Sequence, residues 1–84
     1  MKIEQLATVP LRNGKIAKAS SWRAVEVEGV RQIWHYSTLM AEIANGQLTQ
    51  VSEGWGSMSD KHGMGKIRKG CRLAGIEVAI PCLV

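Results

Sequence analysis

Leu39-Met40-Ala41-Glu42-Ile43-Ala44-Asn45-Gly46-Gln47-Leu48-Thr49-Gln50 decides the fold. Asn45-Gly46 is the residue pair that a two-residue type I′ turn requires, because both of its central positions need a positive φ. A turn there sets Ile43 opposite Leu48 and Glu42 opposite Thr49. On the incoming side Leu39, Ala41 and Ile43 alternate with Met40 and Glu42, the period of a strand with one wet face. Upstream, Arg31 to Ser37 reads as another strand, with Trp34 and Tyr36 on one face and Ile33 and His35 on the other. A bend or bulge near Thr38 must separate it from the next. Val25 and Val27 alternate with Glu26 and Glu28, and Gly29 marks a turn. Leu11-Arg12-Asn13-Gly14-Lys15-Ile16 repeats the Asn-Gly arrangement and predicts a further hairpin. Strands near 22–28, 31–37, 39–44 and 47–53 then form an antiparallel meander.

Downstream of residue 53 the pattern changes. Six of the nine glycines lie between Gly54 and Gly75, while Met64, Ile67, Cys71 and Ala74 recur at helical spacing and would face the sheet. Ser57 and Asp60 make a capping-box-like start, with the acid where the helix dipole favours it. Gly75 suits the stop. Gly63 and Gly65 weaken the helix by about 1 kcal/mol each relative to alanine. Val78 to Val84 resembles a last strand, placed at an edge or near its end by Pro81. The expected fold is therefore α+β: one domain over residues 1–84, with a small antiparallel sheet of about four to six strands packed against one amphipathic helix in the C-terminal half.

A chain of 84 residues supports one domain, and 45% hydrophobic with 21% charged residues excludes a disordered composition. The most apolar stretch, Ala74 to Val84, is too short to span a bilayer and contains Glu77 and Pro81. Met1-Lys2-Ile3-Glu4-Gln5 lacks the character of a signal peptide, which makes the cytoplasm the expected location. Cys71 and Cys82 are then expected as reduced thiols in or near the core, although their number alone leaves a disulfide open.

The charge is segregated. Residues 1–60 are balanced, with six basic and six acidic side chains. Lys61, Lys66, Arg68, Lys69 and Arg72 follow with no acid among them, and Glu77 then brings the net charge to +4, so the whole excess sits in one twelve-residue stretch. Such a stretch either solvates one face of a helix or attracts a polyanion or an acidic protein surface. Trp55, between two glycines just before this helix, is either an interface anchor or a ring folded back over the sheet. The expected binding set is Trp55, Lys61, His62, Lys66, Arg68, Lys69 and Arg72. Trp34 and Tyr36 would serve as a stacking platform or, more commonly, as core.

Catalytic and cofactor patterns are incomplete. Gly65-Lys66 ends like a phosphate-binding loop, but Asp60 stands where a glycine is needed and Ile67 where a hydroxyl would hold magnesium. Gly54-Trp55-Gly56 starts a dinucleotide fingerprint, yet Ser59 occupies the third glycine position and no βαβ unit is evident. Ser57, Ser59, Asp60 and His62 are hydrolase residue types, but within one helical turn they cannot align nucleophile, base and orienter. His35, His62, Cys71 and Cys82 lack the close spacing of a zinc site. No catalytic residue, metal or cofactor is expected.

Tyr36-Ser37-Thr38-x-x-Ala41-x-Ile43-x-x-Gly46, followed by Gly56-Ser57-Met58-Ser59-Asp60-Lys61-His62, resembles the pattern of a group of small phage and mobile-element accessory proteins. In these a Tyr-Ser-Thr strand and a glycine turn precede Ser-x-Thr-Thr-Ser-Lys-His at the start of a helix. Lys61 and His62 match, whereas Ser59-Asp60 replaces Thr-Ser. The likeness covers about the middle third of the chain. It implies a bacterial host cytoplasm and an accessory role during infection, and it brings no activity and no catalytic residues. The resulting expectation is a non-enzymatic protein that binds and modulates a host macromolecular complex, such as a CRISPR effector, through the basic helix. Direct DNA or RNA binding through the same helix is the rival; a small enzyme ranks third. A homodimer through an exposed edge strand is left open.

Overall fold

A computed structural model describes residues 1–12, 14–52 and 57–79. The chain begins with a 3₁₀ turn, Ile3–Ala7, and continues through β1 (Ile16–Ala19), β2 (Trp22–Val27), β3 (Val30–His35), β4 (Thr38–Ala44) and β5 (Gln47–Gln50). It then forms α1 (Met58–Leu73) and a short β6 (Glu77–Val78). The sheet order follows the chain, β1-β2-β3-β4-β5-β6. Adjacent strands from β1 to β5 are antiparallel, whereas β6 runs parallel to β5. The expected α+β architecture is present.

The parallel sixth strand corrects a purely antiparallel reading. β5-α1-β6 is a crossover unit: α1 returns the chain to the starting end of β5, so β6 must run the same way. The sequence conceals this unit because β6 is only two residues long among the described residues. Most of the proposed Val78–Val84 strand lies beyond them.

Four two-residue turns connect β1 to β5. Asn45 and Gly46 both have positive φ, at 53° and 74°, and Ile43 pairs with Leu48 and Glu42 with Thr49 as the turn requires. Glu28 and Gly29 repeat this conformation at 50° and 81°. The other two turns use serines, Ser20-Ser21 and Tyr36-Ser37, with positive φ at Ser20 and Tyr36. Tyr36 is thus a turn residue, 68% exposed, and the strand ends at His35 rather than Ser37. The first Asn-Gly does not make a hairpin. The Lys15 N–H donates to the Arg12 carbonyl at 2.9 Å, closing a turn that feeds β1, whose only partner among the described strands is β2. Asn13 itself lies outside the described residues.

The bend or bulge expected near Thr38 resolves into the Tyr36-Ser37 turn just before it and a bulge two residues after it. Ile33 pairs with Ala41 and Trp34 with Leu39, leaving Met40 as the extra residue on β4. Met40 and Ala41 are consequently both buried, side by side, where strict alternation would expose one of them. The Met40 carbonyl accepts from the N–H groups of Val51 and Ser52.

The core lies between one face of the sheet and α1, closed at one end by the 3₁₀ turn. Trp22, Ala24, Ile33, Met40 and Leu48 from the strands meet Met64, Ile67 and Cys71 from α1, with Leu6 and Ala7 from the 3₁₀ turn. Two helix glycines set the spacing. A Cβ on Gly63 would lie 2.0 Å from the Trp22 indole, and one on Gly70 would lie 2.2 Å from the Glu4 carbonyl oxygen. Arg31 ties the 3₁₀ turn to the sheet by donating to the Leu6 carbonyl at 3.0 Å, and its Nε lies 3.6 Å from Glu26.

Candidate functional site

Two surfaces hold chemistry that packing alone does not account for. One is the outer face of α1; the other is a cleft where the start of α1 meets the β3–β4 turn.

The helix is well delimited. Ser57 is its N-cap: its hydroxyl accepts from the Asp60 N–H while Asp60 returns a bond to the Ser57 N–H, a complete capping box. At the far end Gly75, at φ 79°, donates to the Arg72 carbonyl and Ile76 donates to the Cys71 carbonyl, a Schellman stop. Ala74, expected against the sheet, is instead the exposed C-cap, because the helix ends one residue before it. At about 100° per residue, Arg68, Lys61, Arg72, Lys69, His62 and Lys66 follow one another across about 160° of the helix, opposite buried Ile67. Five of these six are exposed. Arg68 departs from the set: it is half-buried and its guanidinium donates to the Gln50 side chain at 2.6 Å, holding α1 to the end of β5. No ion pair between this face and a carboxylate is found among the described residues. Met58 and Leu73, 65% and 78% exposed, add apolar ends to the same face. Trp55 lies outside the described residues.

The cleft, about 230 Å³, is lined by His35, Tyr36, Ser37, Thr38, Ser57, Ser59 and Asp60. His35 and Asp60 are both buried. With Asp60 ionised and the imidazole neutral, the His35 Nδ1–H donates to Asp60 Oδ1 at 2.5 Å, which leaves Nε2 as an acceptor. Two hydroxyls face that nitrogen, Ser21 Oγ at 2.9 Å and Ser59 Oγ at 3.4 Å. Asp60 is fixed in turn by Ser57, whose Oγ lies 2.9 Å from Oδ2. The imidazole stacks on Trp22 with ring centres 4.3 Å apart and planes 9° from parallel, and the Tyr36 ring is 4.6 Å away.

Sequence reasoning grouped Ser57, Ser59 and Asp60 with His62, and that histidine points elsewhere, exposed on the basic face. The histidine that reaches Asp60 is His35, twenty-five residues upstream. The sequence reading set His35 with Ile33 on one face of β3 and favoured Trp34 and Tyr36 opposite as core, whereas His35 is the buried residue, and nothing in the spacing announced its partner. The stacking platform is not formed: Trp34 sits half-buried on the sheet face away from α1, with the Arg23 guanidinium 5.0 Å from its ring centre, while Tyr36 turns aside into the hairpin loop. Burial raises the Cys71 thiol above its ordinary pKa, only partly offset by Arg31 and Arg72; Cys82 lies outside the described residues. Among the described residues no group of three or more His, Cys, Asp or Glu side chains is placed to hold a metal ion. None of their helices is long and apolar enough to cross a membrane.

No protein-family model, no curated protein and no solved structure matches this chain.

Proposed function

We propose that the protein works by binding, with the exposed basic face of α1 docking on an acidic surface of a nucleic-acid-handling complex in a bacterial host. In this reading it is a phage-type accessory protein, and inhibition of a defence system such as a CRISPR effector is the kind of effect it exerts. The observation that carries the site is the segregation of charge: Lys61, Lys66, Lys69 and Arg72 are exposed on the solvent side of one helix. The setting comes from the Tyr-Ser-Thr and Lys-His resemblance alone. Desolvated arginine and lysine opposite carboxylates or phosphates give fast, salt-sensitive association, and Met58 and Leu73 supply apolar contact at the two ends.

The test is a reversal of charge that spares the fold. Lys61→Glu, Lys66→Glu and Lys69→Glu together suit it better than a set including Arg68, which binds Gln50. The triple variant keeps its circular dichroism spectrum and melting temperature and loses capture of the host complex from nuclease-treated lysate. Undiminished capture refutes the placement. The same exposed cations favour a second reading, direct binding of DNA or RNA. A gel shift at two salt concentrations separates them: four phosphate contacts give a log K against log salt slope of about −3 to −4, and absence of any shift at micromolar protein in low salt removes this reading.

A further inference from the structure

Beyond binding, we propose that Ser59, His35 and Asp60 form a nucleophile, base and orienter that hydrolyse a small neutral carboxylic ester in the cleft between the β3–β4 turn and the start of α1. The three groups come from separate places, β3 and two successive positions of α1, yet they stand in line: Asp60 Oδ1 at 2.5 Å from His35 Nδ1, and His35 Nε2 at 3.4 Å from Ser59 Oγ. Recognition of such an arrangement rests on geometry and not on order in the chain. Asp60 cannot swing away, because its second oxygen is held by the Ser57 hydroxyl and amide. His35 cannot rotate freely, because it lies flat on Trp22.

Ser59 rather than Ser21 is the nucleophile. Ser59 is exposed and lines the cleft, whereas Ser21 bonds to Nε2 from outside the cleft lining. The 3.4 Å separation closes by about half an ångström when substrate is bound, as catalytic hydrogen bonds commonly do. The developing oxyanion has donors to hand: the Met58 and Ser59 amides belong to the first turn of α1, which no helical carbonyl reaches, at the positive end of the helix dipole. The buried Asp60 carboxylate beside the cleft disfavours an anionic substrate and argues against a phosphate site. Tyr36, which also lines the cleft, holds a positive φ of 54° that a bulky side chain rarely adopts. Its carbonyl is fixed by Arg23 at 2.5 Å.

In the step, Ser59 Oγ forms a bond to the ester carbonyl carbon and its proton passes to His35 Nε2. The carbonyl–oxygen bond to the alcohol breaks, and the leaving alcohol takes that proton. Water, activated by the same nitrogen, then cleaves the acyl-serine to release the carboxylic acid and restore Ser59. Ser59 and His35 are the catalytic residues, and Asp60 is a positioning residue.

The experiment treats the full chain with a fluorophosphonate probe, maps the adduct by peptide mass spectrometry, and measures turnover of p-nitrophenyl acetate. The label is expected on Ser59 in the native protein and not in the urea-unfolded one. Ser59→Ala abolishes it, His35→Gln slows it by about 100-fold or more, and Lys18→Ala, on the exposed side of β1, leaves it unchanged. Ser21→Ala keeps or increases it, since the competing hydroxyl is gone. Asp60→Asn lowers kcat with KM unchanged, which a purely structural His-Asp clamp would not produce. Ser59 is exposed, so its substitution does not put folding in question, and melts of the other variants separate unfolding from inactivity. No labelling of Ser59 above the unfolded control, labelling of Ser21 instead, or equal rates in Ser59→Ala and the parent chain overturns the proposal. None of these results bears on the basic face, whose failure is read from the capture experiment.

Discussion

Two glycines two positions apart on α1, Gly63 and Gly65, behave oppositely. Gly63 lies against Trp22, and an added Cβ would fall 2.0 Å from the indole; nothing lies within 4 Å of a Cβ on Gly65. Gly63→Ala is therefore expected to destabilise the protein by about 2–3 kcal/mol through overpacking, and Gly65→Ala to stabilise it by about 0.5–1 kcal/mol through helix propensity. Urea unfolding of the two variants checks the difference in sign. Sequence reasoning counted both as equal weaknesses of α1, because propensity is local while the reason for Gly63 is a ring from β2. Cys71 makes a similar case. Its thiol is buried and its pKa raised by desolvation, so it stays protonated in the folded chain after an unfolded thiol has ionised. Folded-state stability from this group is complete below the ordinary thiol value of about 8.5 and declines as pH rises above it. A plot of unfolding free energy against pH from 7.5 to 10 should slope downward, and the slope should lessen in Cys71→Ala.

At the scale of elements, turn and cap chemistry determine where each segment starts and stops. Ser57→Ala removes the hydroxyl that accepts from the Asp60 N–H and that lies against Asp60 Oδ2. Stability is expected to fall by about 1 kcal/mol, and the same variant loosens the carboxylate that holds His35. Thermal melts monitored by circular dichroism measure the first effect. The Asn45-Gly46 hairpin was legible to the exact pair because its register follows from turn geometry. A bend or bulge was expected near Thr38, but its place at Met40 was not legible: it depends on how β4 must twist to bring both Met40 and Ala41 onto the core, which no local pattern encodes. The first Asn-Gly resembled the second in sequence but lacks a partner strand, since the chain before it is committed to the 3₁₀ turn over Gly70.

At the scale of the molecule, a sheet covered on one face by a single helix leaves the outer side of that helix exposed at Lys61, His62, Lys66, Lys69 and Arg72. Charge reversal there should change binding and barely change stability, by less than about 0.5 kcal/mol, because Lys61, Lys66 and Lys69 are all exposed and form no ion pair among the described residues. Equilibrium unfolding of the Lys61→Glu, Lys66→Glu, Lys69→Glu variant measures this directly. β1, four residues long, leaves one edge without a partner strand among those described. Light scattering over a concentration series reports whether a second copy uses it.

By itself the sequence determined the class of the fold, the strongest hairpin and its register, both ends of α1 and the placing of its cations away from the core. All of these follow from forces between residues a few positions apart: turn dihedrals, capping hydrogen bonds and the period of apolar side chains. Only the tertiary structure decided that β6 runs parallel to β5, that Gly63 and Gly70 are contact points, and that His35 meets Asp60 beneath two serines. Those depend on how α1 crosses the sheet, and the crossing is fixed by packing among residues far apart in the chain.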